Sequence, residues 1–128
     1  MAHMIQTSDE KIYVKTEGWI FGPERMLIVK KLMALKQIET VKSVIIDHQD
    51  AQIDLNLSDA HKLGQKVVQM SLHKPKFEFF IIAPDKNRFI IDVSAMIAIK
   101  AGVDFSVCEN RNEALKKIFF KRCGETAD

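Results

Sequence analysis

Cysteine is scarce in this chain: 128 residues contain only Cys108 and Cys123. Two cysteines supply neither a disulfide framework nor a Cys-rich metal site, and no Cys-x2-Cys or His-x3-His pair occurs. The expectations are no metal, no cofactor, and a reducing, cytoplasmic setting. Glycine is nearly as thin, and its five positions, 18, 22, 64, 102 and 124, never form the G-x-G-x-x-G or G-x4-G-K-[ST] cradles for dinucleotide and triphosphate. Charge of one sign is missing too. The 19 Lys and Arg against 17 Asp and Glu leave +2, without the lopsided basic footprint of a nucleic-acid binder. Long apolar runs are absent, so nothing approaches the roughly 20 residues of a membrane span. The start Met-Ala-His-Met lacks the charged head and apolar stretch of a secretory signal. Its two methionines mark residues 1–3 as an expression scar before Met4. What remains, 47% hydrophobic, suits one soluble domain over residues 4–128.

The order of residues says more than their totals. Ile12 and Val14 alternate with Lys11, Tyr13 and Lys15, the period of a half-buried strand, and Met4–Thr7 precedes it across a Ser8-Asp9-Glu10 turn, which predicts a hairpin. Pro23 then opens a helix over 23–36, with Ile28, Val29, Leu32, Met33 and Leu35 as its apolar stripe and Arg25, Lys30, Lys31 and Lys36 on the rest. Val41–Ile46 is a β-branched run suited to a strand buried on both faces, followed by a polar loop from His48 to Asn56. Ser58 is the natural N-cap of a helix carrying Ala60, Leu63, Val67 and Met70. Phe77–Ala83, bounded by Pro75 and Pro84, is a second buried strand. A helix over 88–101 stops at Gly102, Val103–Val107 forms a third strand, and Asn110 with Glu113 starts a last helix to about residue 122, with Ala114, Leu115, Ile118 and Phe119 on its core face. Strand and helix alternate with short connections, so the sheet should be largely parallel with right-handed crossovers.

Few residues could carry chemistry. Asp47, His48 and Asp50 sit at the carboxyl end of a strand, where open α/β sheets place ligands; a polar turn is the stronger account of them, and a hydrolytic site is the weakest reading. His61 and His73 fall on or beside a polar helix face. Cys108 and Cys123 have no sequence-adjacent base; Cys108 reads as a small core residue and Cys123 follows the last helix. The unusual segment is Phe89–Ile99, whose apolar residues surround the helix almost completely. Such a helix must be covered on more than one side, by its own neighbours or by a second subunit, a partner or a lipophilic ligand. Phe89, Ile90, Val93, Met96 and Ile97 are the candidate contact residues, and Trp19 and Phe21 could extend them.

Val44-Ile45-Ile46-Asp47, Leu57-Ser58-Asp59, Ile82-Ala83-Pro84 and Glu113-Ala114-Leu115, in this order and spacing, resemble the SpoIIAA-like proteins of the STAS superfamily over nearly all of residues 11–119. The resemblance implies an α/β fold: a right-handed βα superhelix with a mixed, mostly parallel sheet of four to five strands packed with about four helices. It implies a non-enzymatic module that docks to protein partners; the missing polar face of the 88–101 helix adds a homodimer as one form of that docking. It also makes Ser58 a candidate phosphoacceptor, because relatives carry a phosphorylated serine at the start of the matching helix. The chain has Leu57-Ser58-Asp59-Ala60 where they have D-S-[ST]-G, and Asp59 would repel an added phosphate. A shared outline with CRAL-TRIO lipid-transfer domains gives the alternative, a carrier or sensor of a lipid or other apolar ligand, for which Met26, Met33, Met70 and Met96 would line an adaptable pocket.

Overall fold

A computed structural model describes residues 2–72, 74, 76–83 and 88–126, with side chains described as far as residue 118. His73, Pro75 and Pro84 lie outside the described residues, as do the side chains of Phe119 and Cys123. The elements run β1 (Ala2–Thr7), β2 (Lys11–Phe21), α1 (Gly22–Ala34), a 3-10 turn (Lys36–Glu39), β3 (Ser43–Asp54), α2 (Leu57–Ser71), β4 (Glu78–Ile82), α3 (Arg88–Lys100), β5 (Asp104–Cys108) and α4 (Arg111–Thr126). α4 therefore passes through position 123 rather than ending before it.

The sheet order is β1-β2-β3-β4-β5, the order of the chain itself. β1 pairs antiparallel with β2, as the hairpin pattern predicts, and Ala2 and His3 already belong to it, opposite Glu17 and Thr16. The other three pairings are parallel. Each parallel step moves one place in the same direction, so right-handed crossovers must put every connecting helix on one face. They do so: Ile28, Val29 and Leu32 of α1, Leu63, Val67 and Met70 of α2, and Ile91, Ala95 and Ala98 of α3 share one core with Ile12, Val14, Val44, Ile46, Phe79, Ile81 and Phe105 of the strands. α4 alone crosses to the other face, where Ala114 and Ile118 cover Ile45, Phe80, Ile82 and Cys108. β3 and β4 thus bury alternate side chains on opposite faces, which is why both read as nearly continuous apolar runs.

β2 shows the complementary case. Ile12, Val14, Thr16 and Ile20 are buried on the three-helix side, whereas Lys11, Glu17, Trp19 and Phe21 are exposed. α4 packs over β4 and β5, so among the described residues no helix covers the far end of β2 on this second face.

β3 overturns one expectation. The polar segment after Asp47 is strand, not loop: β3 continues to Asp54, pairing Asp50–Asp54 with Glu17–Phe21. A bulge makes this possible, because His48 and Gln49 together stand against the single residue Thr16 between the Lys15–Asp47 and Glu17–Asp50 pairs. β4 stops pairing at Ile82, opposite Asp47, so beyond that point β2 and β3 run on as a two-stranded ribbon.

Candidate functional site

Asp47, His48 and Asp50 do not converge as a catalytic set. Neighbouring strand residues point to opposite faces, so the buried Asp47 faces α4 while the buried His48 faces α1. The sheet separates them. A hydrolytic site built on these three residues is not the arrangement that forms.

His48 belongs to a buried polar chain. Arg25 Nη1 lies 2.8 Å from His48 Nε2, and Thr16 Oγ1 lies 2.7 Å from His48 Nδ1 and 3.2 Å from the Asp47 carbonyl oxygen. A guanidinium can only donate, so Nε2 accepts and the neutral ring carries its proton on Nδ1, donating to Thr16, which in turn donates to the carbonyl. Burial first, and the neighbouring Arg25 charge second, hold the His48 pKa well below its ordinary value. Arg25 is 3% exposed, and its Nε and Nη2 have no hydrogen-bond partner among the described residues. Burial pulls its pKa down to about 10, against the opposing influence of Asp59. Arg25 was expected on the exposed side of α1. It stands instead at the head of the stripe 25, 28, 29, 32, and the three apolar members of that stripe carry it inward.

Asp47 anchors the opposite face. Its carboxylate accepts from the Tyr13 hydroxyl, from Arg111 Nε at 2.5 Å and from the Gln49 backbone N–H at 2.9 Å. Arg111 also donates through Nη2 to Asp50 at 2.7 Å, and its backbone N–H donates to Gln49 Oε1 at 3.0 Å. The hydrogen bond from Arg111 is the main reason the Asp50 pKa lies low, and Tyr13 is pushed up chiefly by burial and by its bond to Asp47. Every arm of this cluster is occupied by another, which is the chemistry of a clasp for the first turn of α4. Sequence reading did not find Tyr13 or Arg111, since their partners lie 34 and 64 positions from them.

Ser58 is exposed, one residue inside α2, and is not its cap. Asn56 is: its side chain accepts from the Asp59 N–H at 2.9 Å, while the Asp59 carboxylate accepts from the Asn56 N–H at 3.0 Å, a complete capping box. The same carboxylate lies against Gly22, where an added Cβ would overlap it. At α4, Asn110 accepts from the Glu113 N–H at 2.9 Å, but the Glu113 side chain reaches the Glu109 N–H rather than that of Asn110.

α3 is covered on two sides by its own molecule. Ile91, Ala95 and Ala98 face the sheet, while toward α2 the buried Ser94 hydroxyl donates to the Ala60 carbonyl at 2.8 Å. Ile97 packs on Gly64, whose absent Cβ would fall 2.8 Å from Ile97 Cβ. Of the candidate contact residues, Ile90, Val93 and Ile97 are half-buried, whereas Phe89 is 73% and Met96 59% exposed; Ile99, at 54%, joins them. The methionines do not share a pocket: Met70 is core, and Met33 and Met96 are exposed on different helices. A surface cleft of about 860 Å³ lies between Leu72, Lys74, Phe77 and Gly102, at the opposite end of α3 from Phe89. Among the described residues there is no cluster of three metal-ligating side chains, and no helix is long and apolar enough to cross a membrane.

No protein-family model matches the sequence, and no curated protein does. The architecture has a counterpart among solved structures: the anti-sigma factor antagonist SpoIIAA in its unphosphorylated form, at 12% identity and a TM-score of 0.59, over 91% of this chain and 97% of that one. The chain has the SpoIIAA fold. The expected mixed, mostly parallel sheet with four helices is the one that forms, and the SpoIIAA-like resemblance read from the sequence agrees with it.

Proposed function

We propose that the chain is a non-enzymatic regulatory module that works by docking, with the outward stripe of α3 as its contact surface. The observation that carries the reading is the exposure of Phe89, Met96 and Ile99 on the side of α3 that also bears Asp92, while Ile91, Ala95 and Ala98 face the sheet and Ser94 faces α2. A protein it matches in fold is described as an anti-sigma factor antagonist, a regulator, and a regulator of this kind needs a surface rather than a pocket. A second copy of the chain is the occupant proposed, in a cytoplasmic setting, where two cysteines in 128 residues supply no disulfide framework. Light scattering on eluting protein tests it: a dimer that Met96→Glu converts to monomer, at unchanged thermal midpoint, is expected. Monomer in both samples removes the homodimer.

Ser58, exposed in the first turn of α2, is proposed as the position of a regulatory phosphate. The N-terminus of α2 favours an anion through its backbone N–H groups and dipole, and the Asp59 carboxylate beside Ser58 is held in the cap of α2. A mass gain on incubation with a cognate kinase, absent in Ser58→Ala, is the corresponding test. The alternative, a carrier of an apolar ligand, calls for native mass spectrometry of freshly purified protein, where a copurified small molecule would favour it.

A further inference from the structure

The β2–β3 ribbon carries a second surface, independent of α3. Odd residues of β2 point away from the three-helix core throughout, so Glu17, Trp19 and Phe21 form a column on the uncovered face, and their partners in β3 are Asp50, Gln52 and Asp54. Gly18, at φ 79°, stands in the left-handed region just before the aromatic pair, a conformation glycine adopts without steric cost. Trp19 and Phe21 are 53% and 45% exposed, and their rings are nearly parallel, 16° apart with centroids 6.4 Å from each other. Two large aromatic rings stacked in water rather than in a core are an unspent apolar surface.

The charges around them have a sign. At the ribbon end of this face Asp47, Asp50, Asp54 and Glu17 supply four carboxylates against Lys15 and Arg111, while Lys11 stands at the opposite end of β2. Lys15 lies 3.7 Å from Glu17 and 3.5 Å from Asp50, and Arg111 is spent on Asp47 and Asp50. Asp54, beside Phe21 in the register, has no ion pair or hydrogen bond among the described residues. Two carboxylates in excess around an exposed aromatic stack complement a cation that can also lie flat on a ring.

We infer that the Trp19–Phe21 platform with Asp54 is a docking surface for an arginine side chain on an exposed segment of a protein partner. A guanidinium meets both demands at once: its plane stacks on an indole or phenyl face while its fork of N–H groups addresses a carboxylate, which the compact, strongly hydrated lysine ammonium does less well. Trp19 is the only tryptophan in the chain, so its emission reports on this surface alone. The probe is the capped peptide Gly-Arg-Gly-Arg-Gly, compared with its lysine and glutamate counterparts at low salt. A saturable change in Trp19 emission is expected with the arginine peptide, weaker with lysine and absent with glutamate. Asp54→Asn and Phe21→Ala should each weaken the arginine response by about fivefold, the scale of an exposed cation–π or ion-pair contact. Both side chains are exposed, so an unchanged thermal midpoint is expected to certify the fold. No saturable change, an equal response to glutamate, or a response that survives both substitutions overturns the inference.

Discussion

At the scale of single residues, His48 makes stability depend on pH. Its folded pKa lies well below 6.5 because protonation would set an imidazolium beside the Arg25 guanidinium in a buried core. Above pH 6.5 the ring is neutral in both folded and unfolded chains and contributes no pH dependence. Below it the unfolded chain binds a proton that the folded one refuses, so stability falls with pH by about 1.4 kcal/mol per unit until the folded pKa is reached. Thermal midpoints of the wild type should therefore drop between pH 6.5 and 5, and those of His48→Gln should follow a flatter line from a lower start; parallel lines would acquit His48. His3, lowered by partial burial and Lys31, leans the same way, and a His3→Ala background separates it. That His48 is buried was not legible in Asp47-His48-Gln49-Asp50, which reads as any polar turn reads. The legible clue lay elsewhere: Arg25 falls on the i, i+3, i+4, i+7 stripe with Ile28, Val29 and Leu32, and a cation on that stripe demands a buried acceptor.

Among elements, the first three helices were readable to within a residue or two, from apolar stripes in α1 and α2 and the stop at Gly102 in α3, whereas α4 runs four residues past its expected end and β3 was missed in its second half, which is polar and contains a bulge. Asp50, Gln52 and Asp54 alternate with Ala51 and Ile53, a period of two that a reader expecting a loop passes over. The cap of α2 moved for a comparable reason: Ser58 and Asn56 are both good caps by type, and only the reciprocal bond with Asp59 chooses between them. The α2–α3 contact yields a sharp expectation. Gly64→Ala should improve helix propensity by up to about 1 kcal/mol, yet its Cβ would meet Ile97 Cβ at 2.8 Å and the Ser94 carbonyl oxygen at 3.0 Å. Overpacking of that kind costs about 1–3 kcal/mol, so the variant should melt lower, by several degrees. Urea titration with an unchanged slope would confirm that the loss is one of packing.

For the molecule as a whole, the sequence announced the α/β alternation but could not say which side of the sheet α4 would take. Arg111 ties the first turn of α4 to the central strand, its side chain reaching Asp47 and Asp50 and its N–H reaching Gln49, while Ala114 and Ile118 pack on that face. Arg111→Met keeps the stem and removes the fork. With half of the clasp open to solvent and screened, the expected loss is about 1–2 kcal/mol, and hydrogen exchange should quicken over residues 111–118 while the three-helix core keeps its protection. Uniform quickening would mean that α4 is not a separately anchored unit.

The sheet order, identical to the chain order, bears on how the protein is made. Each strand after β1 joins the edge laid down just before it, and none has to be inserted between two others. Synthesis runs from the amino terminus, and domains begin to fold as they emerge. A ribosome-bound chain could therefore add β3, α2 and β4 to a growing edge in the order of their translation, with its exposed rim always at the youngest strand. That rim ends at β5, and α4, which follows it in the chain, is the one that folds back over the opposite face.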